Sequence, residues 1–112
     1  MDDDERAEIY DAFREAVNMT PSELDEWLAS DESAAVGRTR EGEDEAIGHK
    51  SGRRIVEIKR TRRADLTDDD YAHMRKDVGY VHRHVAQGGP SDDKAHSRWR
   101  YSLMNWGHDP LK

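Results

Sequence analysis

Apolar residues recur at spacings of three and four along much of the chain, the period of an α-helix that buries one face. The first such stretch covers residues 5–18. The second begins after Thr20, an N-cap residue that is followed by proline and, three residues on, by the capping-box acid Glu23. These signals predict two amphipathic helices, the second ending near Ser30, with a further turn at 33–36.

The second half of the chain predicts three more helices. One runs from residue 51 or 52 to about 63, and the next from Thr67 to a glycine stop at Gly88. Thr67 is an N-cap residue followed by acids, the same Thr-x-x-acid cap as at Thr20. The last helix runs from about 92 to 106. The middle one carries apolar residues at alternating spacings of three and four, which is typical of a packed helix seam. Its members are Tyr71, Met74, Val78, Val81 and Val85.

No stretch alternates apolar and polar residues as a half-buried strand does. The pattern therefore predicts an all-α fold, a compact single domain of about five helices over residues 1–112. Residues 37–50 hold three glycines and four acids without any periodicity. We expect a mobile loop there, and its length leaves two interpretations open, a functional segment or a tolerated insertion.

Composition narrows the class of protein. A chain of 112 residues has room for one core, and the absence of cysteine excludes disulfides, thiolate metal sites and a cysteine nucleophile. No apolar run approaches the ~18 residues of a membrane span, and residues 1–5 are acidic, unlike the basic start of a signal peptide. These features predict a soluble cytoplasmic protein that does not enter a membrane.

The charged residues have an unusual makeup for an acidic protein of net charge −7. Asp outnumbers Glu by 15 to 10, and Arg outnumbers Lys by 13 to 5. An Asp-rich, Lys-poor surface is typical of halophilic proteins, whose self-repulsion is screened by salt. We therefore expect a halophilic protein that is weakly folded at low ionic strength. An ordinary acidic protein is the alternative.

One short segment is basic. Residues 49–63 carry a net charge of +6, whereas residues 1–48 carry −12 and residues 64–112 carry −1. Six cations of this segment are candidate contacts for nucleic-acid phosphates, and Gly52 would let the backbone approach a phosphate. They are Arg53, Arg54, Lys59, Arg60, Arg62 and Arg63. In the alternative interpretation they pair with Glu57 and other acids of the chain, or complement the helix C-terminus.

The sequence offers no reaction chemistry. His73, Asp77, Tyr80 and His84 share one stripe of the fourth helix, but the two histidines lie about 16 Å apart along its axis and cannot bind one ion. There is no zinc-protease motif, no glycine-rich phosphate loop and no serine nucleophile at a recognisable spacing. We expect no metal, no cofactor, no small-molecule substrate and no enzymatic activity.

Two functions remain open. The first is a nucleic-acid-binding protein that presents the basic segment to DNA. The second is a non-enzymatic protein-interaction or homo-oligomeric module that binds no nucleic acid and dimerises through the helix Tyr71–Val85. The C-terminal stripe at 91–112, with Trp99 and Trp106, is expected to belong to the core, and a base-stacking surface beside Arg98 and Arg100 is its alternative.

Five blocks of sequence carry a resemblance to a known family. They are residues 13–24, 51–58, 66–76, 79–84 and 99–112. These blocks resemble the family catalogued as domain of unknown function 3140, whose members occur in prokaryotes, haloarchaea included, and in fungi. The resemblance implies a haloarchaeal-type member of a family without an assigned activity. Some members are labelled DNA-binding proteins, and the resemblance brings no catalytic or ligand residues.

A second likeness concerns the first half of the chain. The order Thr-Pro-Ser-Glu-Leu at 20–24, a loop, and Ser-Gly-Arg-Arg-Ile at 51–55 is similar to that of the SAP helix–loop–helix motif, which binds DNA. The loop is longer here than in that motif. The likeness implies a SAP-like helix–loop–helix within the all-α fold.

Overall fold

A computed structural model describes residues 1–36 and 47–112 of the chain. Within those two ranges the backbone forms six α-helices and two single 3₁₀ turns, and it contains no strand. The helices are α1 (Asp3–Ala16), α2 (Pro21–Leu28), α3 (Asp31–Ala35), α4 (Ile47–Lys59), α5 (Asp68–Gln87) and α6 (Arg98–Asn105). The prediction of an all-α fold is confirmed.

Both predicted capping boxes are present. The hydroxyl of Thr20 accepts from the amide of Glu23 at 3.1 Å, and the Glu23 carboxylate accepts from the amide of Thr20 at 2.9 Å. Thr67 and Asp70 repeat this pair of hydrogen bonds at 3.2 and 3.0 Å. Each box satisfies amide groups that a helix leaves unpaired at its start, and so fixes where α2 and α5 begin.

The predicted bounds of the third helix are wrong at both ends. Helix α4 includes Ile47, whose side chain packs against the core, so the helix is already formed four residues before the predicted start. Residues 47–50 are therefore helical, and the remainder of the predicted mobile loop, 37–46, lies outside the described residues. The helix ends at Lys59, where the Thr61 hydroxyl donates to the Glu57 carbonyl at 2.7 Å.

The last predicted helix is shorter than expected. Asp93 adopts a left-handed backbone with φ of +42°, which interrupts a helix, and a 3₁₀ turn follows at Lys94–His96. Ser97 then caps α6 by accepting from the amide of Arg100 at 3.2 Å. The turn predicted at 33–36 is α3, which follows the N-cap Ser30.

The core lies where α6 crosses the other helices. Helix α1 packs along α5, α2 packs on α4, and α6 contacts α2, α3, α4 and α5. Trp106 and Leu103 of the C-terminal stripe are buried in this core, and Trp99 packs against it. The expected core role of that stripe is confirmed. The predicted seam of α5 also turns inward, with Tyr71, Met74 and Val81 buried.

The C-terminal residues return to the turn between α1 and α2. The amide of Asp109 donates to the Asn18 side chain at 2.8 Å, and the Asn18 side chain donates to the Asp109 carbonyl at 3.0 Å. His108 Nδ1 donates to the Ala16 carbonyl at 2.7 Å, and the Met19 amide donates to the Gly107 carbonyl at 3.2 Å. This segment locks α1 and α2 in place.

None of the helices in residues 1–36 and 47–112 combines the length and the apolarity that crossing a membrane would require.

Candidate functional site

Lys59, one of the six predicted phosphate contacts, has a structural position. Its ammonium group is half-buried and donates to the carbonyls of Val17 at 3.3 Å and Met19 at 3.0 Å. Burial lowers the pKa of this lysine. These two carbonyls follow the end of α1, so Lys59 holds the α1–α2 turn against α4.

Three further predicted cations follow the end of α4, and each contacts a different part of the chain. Arg60 pairs with Asp25 of α2 at 2.9 Å, and Arg62 pairs with Asp65 at 3.0 Å. The guanidinium of Arg63 lies 4.2 Å from the ring centre of Tyr10 in α1. All three arginines are exposed, and contacts of this kind contribute little to stability.

The remaining two predicted cations lie together on the surface. Arg53 and Arg54 line a shallow pocket of about 450 Å³ with Lys50, Glu57 and Asp70. Arg54 pairs with Asp70 at 3.4 Å. Hydrogen bonds from the Thr67 backbone amide and from Arg54 hold the pKa of Asp70 below its usual value. Of the six predicted residues, the structure therefore brings Arg53 and Arg54 into one cationic pocket.

The expectation for Gly52 is wrong. Gly52 is buried in the middle of α4, and its α-carbon faces the Asn105 carbonyl and the Leu28 side chain. The missing side chain permits close helix packing, not the approach of a phosphate.

A second cationic surface surrounds a groove between α4, α5 and α6. The groove has a volume of about 660 Å³, and no described residue that lines it is acidic. Its cations are Lys76, Arg83 and Arg98, all exposed. Within the described ranges no ion pair engages any of these three. The groove is therefore a positively charged concavity on an acidic protein.

Aromatic rings form one wall of this groove. The ring of Tyr80 lies 4.3 Å from that of Trp106 and 5.3 Å from that of His84, with interplanar angles of 16° and 13°. His73 continues the row beyond Trp106, at 6.4 Å and 7°. Burial lowers the pKa of His84 and raises that of Tyr80, so both rings favour their neutral forms. The Nε2 atom of His84 is buried and has no hydrogen-bond partner.

Docking of α6 onto α5 builds the groove. The indole Nε1 of Trp99 donates to the carbonyl of His84 at 2.9 Å, and the Trp99 ring covers Gly89 so closely that a β-carbon there would clash at 2.6 Å. This contact brings Arg98, the neighbour of Trp99, into the lining of the same groove as Arg83.

The family model DUF3140, described as a protein of unknown function, matches residues 12–104. The chain belongs to the DUF3140 family. No curated protein and no solved structure is significantly similar to it. The match spans α2 to α5 and most of α6, and thus includes all six predicted cations as well as Lys76, Arg83 and Arg98.

Helices α4 and α5 of this DUF3140 protein run antiparallel, so that the two cationic surfaces follow one another along their seam. Arg54 contacts Asp70, Ser51 hydrogen-bonds His73 at 2.9 Å, and the groove lies one turn further on. We name this strip, formed by Arg53, Arg54, Lys76, Arg83 and Arg98, the seam face.

Lys76 and Arg83 escaped the sequence prediction because residues 64–112 carry a net charge of only −1 and show no basic cluster, whereas Arg98 entered it only through the alternative of a base-stacking surface. Lys76, Tyr80 and Arg83 do follow one another at helical spacing, a signal that the sequence contains. The stripe considered for a metal is divided by the structure, since Asp77 is fully buried whereas Tyr80 and His84 line the groove. In the described ranges no three side chains of ligand type converge as a metal site would require.

Proposed function

We propose that this DUF3140 protein is a small, non-enzymatic nucleic-acid-binding domain and that the seam face is its binding surface. The observation that carries the proposal is the groove cluster of Lys76, Arg83 and Arg98, which has no described acid in its lining although the chain has a net charge of −7. A local concentration of cations attracts a polyanion even when the net charge is negative.

The predicted basic segment contributes to this surface in part. Arg53 and Arg54 extend the seam face toward the middle of α4. The ion pair between Arg54 and Asp70 does not oppose the proposal, because this partly buried pair is long, at 3.4 Å, and a phosphate can replace the carboxylate. Lys59 serves the fold, and Arg60, Arg62 and Arg63 contact other parts of the chain.

The setting that we propose is a haloarchaeal cytoplasm. The Asp-rich, Lys-poor composition supports a halophilic protein, and the DNA-binding label carried by some family members agrees with the proposed ligand. At high salt, four phosphate contacts would give a slope of roughly −3.6 in log K against log salt, a loss of about 10⁴ to 10⁵ between 0.1 and 2 M. Binding must then include contacts that salt does not screen.

We test the proposal by measuring the affinity for labelled single-stranded and duplex DNA and RNA. Fluorescence anisotropy gives this affinity from 0.1 to 2 M KCl. Circular dichroism at each salt concentration confirms folding. The double variant Lys76→Gln/Arg83→Gln should lower the affinity at least tenfold. The matched control is Arg75→Gln/Lys94→Gln, which removes the same charge, Arg75 from the α1 side of α5 and Lys94 from the turn before α6. Unchanged affinity of the first variant, or equal losses in both, would contradict the proposal.

The second candidate function is a protein-interaction or homo-oligomeric module. It is favoured by the ion pairs that Arg54, Arg60 and Arg62 make with acids of the same chain. The helix Tyr71–Val85 offers a dimer little apolar surface. Among the large apolar residues of this described segment Val85 is exposed, with 42% of its surface accessible. Dimerisation in light scattering, together with no nucleic-acid binding by the folded protein, would favour this function.

A further inference from the structure

We infer that the groove between α5 and α6 holds one unstacked nucleotide, its base on the aromatic wall of Tyr80 and His84 and its phosphate between Arg83 and Arg98. The inference rests on the proposed function and names the form of its ligand. It assigns the preferred partner as a single strand, because a base within a duplex is already stacked on both faces.

The dimensions of the groove fit one nucleotide. Its volume of about 660 Å³ lies within the roughly 300–1,000 Å³ of small-molecule sites. The two arginines in its lining carry planar guanidinium groups, which bind phosphate oxygens in pairs. The combination of aromatic rings and cations in one lining matches a ligand that is both planar and anionic.

The row of rings gives the base its place. Three successive ring pairs, from His73 through Trp106 and Tyr80 to His84, are parallel within 16°. The row ends at His84, which lines the groove, so a base bound there would extend the row by one ring. Any base can stack on an aromatic ring, because every base has a planar π-face.

Stacking also supplies the salt-resistant contribution that binding at 2 M requires. The Tyr80 and His84 rings favour their neutral forms, so the contact of a base with them involves no net charge. Salt therefore screens stacking far less than it screens the phosphate contacts.

A set of three labelled DNAs at 1 M KCl tests the inference by fluorescence anisotropy. They are a 12-mer of thymidines, a 12-mer of abasic units with the same phosphates, and a 12-base-pair duplex. If the groove holds a base, the thymidine strand binds at least tenfold more tightly than either of the other two. The abasic strand isolates the phosphate contribution, since it lacks only the rings.

Two variants connect the preference to the groove. His84→Ala and Tyr80→Leu should each lower the affinity for the thymidine strand to that of the abasic strand, and leave the abasic strand unaffected. Tyr101→Leu is the matched control, because that ring packs against Trp27 outside the groove, with a centroid distance of 5.2 Å and a tilt of 42°. His84→Ala serves as the main variant if circular dichroism shows that Tyr80→Leu does not fold.

The outcomes separate this inference from the proposed function. Equal affinity for thymidine and abasic strands, or tighter binding of the duplex, would overturn the single-nucleotide inference and leave nucleic-acid binding intact. Absence of binding to all three DNAs, and to RNA, by the folded protein would overturn both. A preference for the thymidine strand that is lost in His84→Ala and kept in Tyr101→Leu is the result we expect.

Discussion

The α-carbon of Gly52 in α4 faces the backbone carbonyl of Asn105 in α6 so closely that a β-carbon on Gly52 would stand 2.4 Å from that oxygen. The same β-carbon would be 2.8 Å from a methyl group of Leu28. Helices α2, α4 and α6 therefore meet at a position that has no side chain. A backbone oxygen cannot move aside as the end of a flexible side chain can.

Gly52→Ala should lower the free energy of unfolding by about 1–3 kcal/mol or more, because it overpacks this junction. Gly79→Ala in α5 is the control, since its β-carbon would meet only the flexible end of Arg83, at 3.1 Å. It should raise stability by about 0.5–1 kcal/mol through helix propensity. Urea unfolding followed by circular dichroism measures both. Equal stability of Gly52→Ala and wild type would refute the close contact.

Asn105 is the centre of a buried polar cluster. Its side-chain oxygen accepts from Trp27 Nε1 at 2.7 Å and from the Ser33 hydroxyl at 2.5 Å, and its amide donates to the Ser33 carbonyl at 3.2 Å. Asn105→Ala leaves these groups unpaired and should cost about 2–4 kcal/mol. Ser33→Ala, which removes one donor, should cost about 1 kcal/mol. A loss for Asn105→Ala no larger than for Ser33→Ala would show that the cluster does not act as a unit.

Lys59 and Arg54 differ in what their loss affects. Lys59→Met removes the hydrogen bonds to Val17 and Met19 and should lower stability by about 1–3 kcal/mol while the nucleic-acid affinity of the folded protein changes less than twofold. Arg54→Met should lower affinity and change stability by less than 1 kcal/mol. Paired urea and anisotropy measurements check both. The opposite assignment would place Lys59 in the binding surface.

Asp77 makes stability depend on pH. Burial raises its pKa well above 3.8, neighbouring Lys59 offsets this only in part, and neither carboxyl oxygen has a hydrogen-bond partner in the described structure. Because the folded pKa is raised, Asp77 costs the protein no stability below about pH 3.9, where the carboxyl is protonated in both the folded and the unfolded state. The protein loses stability as pH rises from there through the folded pKa of Asp77. Asp77→Asn removes that loss. Its stabilising effect should grow by up to about 1.4 kcal/mol per pH unit from pH 4 upward.

Asp109→Asn is the control of opposite sign. Burial would raise the pKa of Asp109, but hydrogen bonds from Arg100 and from the Leu111 amide outweigh burial and lower it. Its contribution is therefore present above the unfolded pKa and is lost as pH falls, so Asp109→Asn should destabilise at neutral pH and less so in acid. Urea unfolding from pH 4 to 8 measures both variants. A pH-independent difference between wild type and Asp77→Asn would contradict the burial of an ionisable carboxyl.

The sequence predicts those parts of the fold that are encoded locally. The capping boxes at Thr20 and Thr67 need only residues three positions apart, and both are found as predicted. The predicted start of α4 is too late because Gly48, in an acidic stretch without periodicity, resembles a helix breaker, whereas in the fold Gly48 and Gly52 let α6 approach. Only tertiary packing distinguishes these two roles of glycine.

The candidate site was harder to predict for the same reason. Arg83 and Arg98 stand on different helices and line one groove only when Trp99 docks α6 onto α5. The six cations of the basic segment are close in sequence, yet α4 directs Lys59 to another side than Arg53 and Arg54, and the remaining three lie beyond the end of α4. Sequence proximity therefore predicted a larger cluster in the basic segment than the fold contains, and it did not reveal the cations of the groove.

The hydrogen bonds between Asn18 and Asp109 also determine when this protein can fold during translation. The two residues are 91 positions apart. A ribosome adds roughly 5–20 residues per second, so about 5–20 s pass between the synthesis of Asn18 and that of Asp109. Lys59 can contact the α1–α2 turn earlier in that interval, but the hydrogen bonds from the C-terminal segment form only at its end. These last hydrogen bonds of the fold therefore form after, and not during, the synthesis of its first five helices.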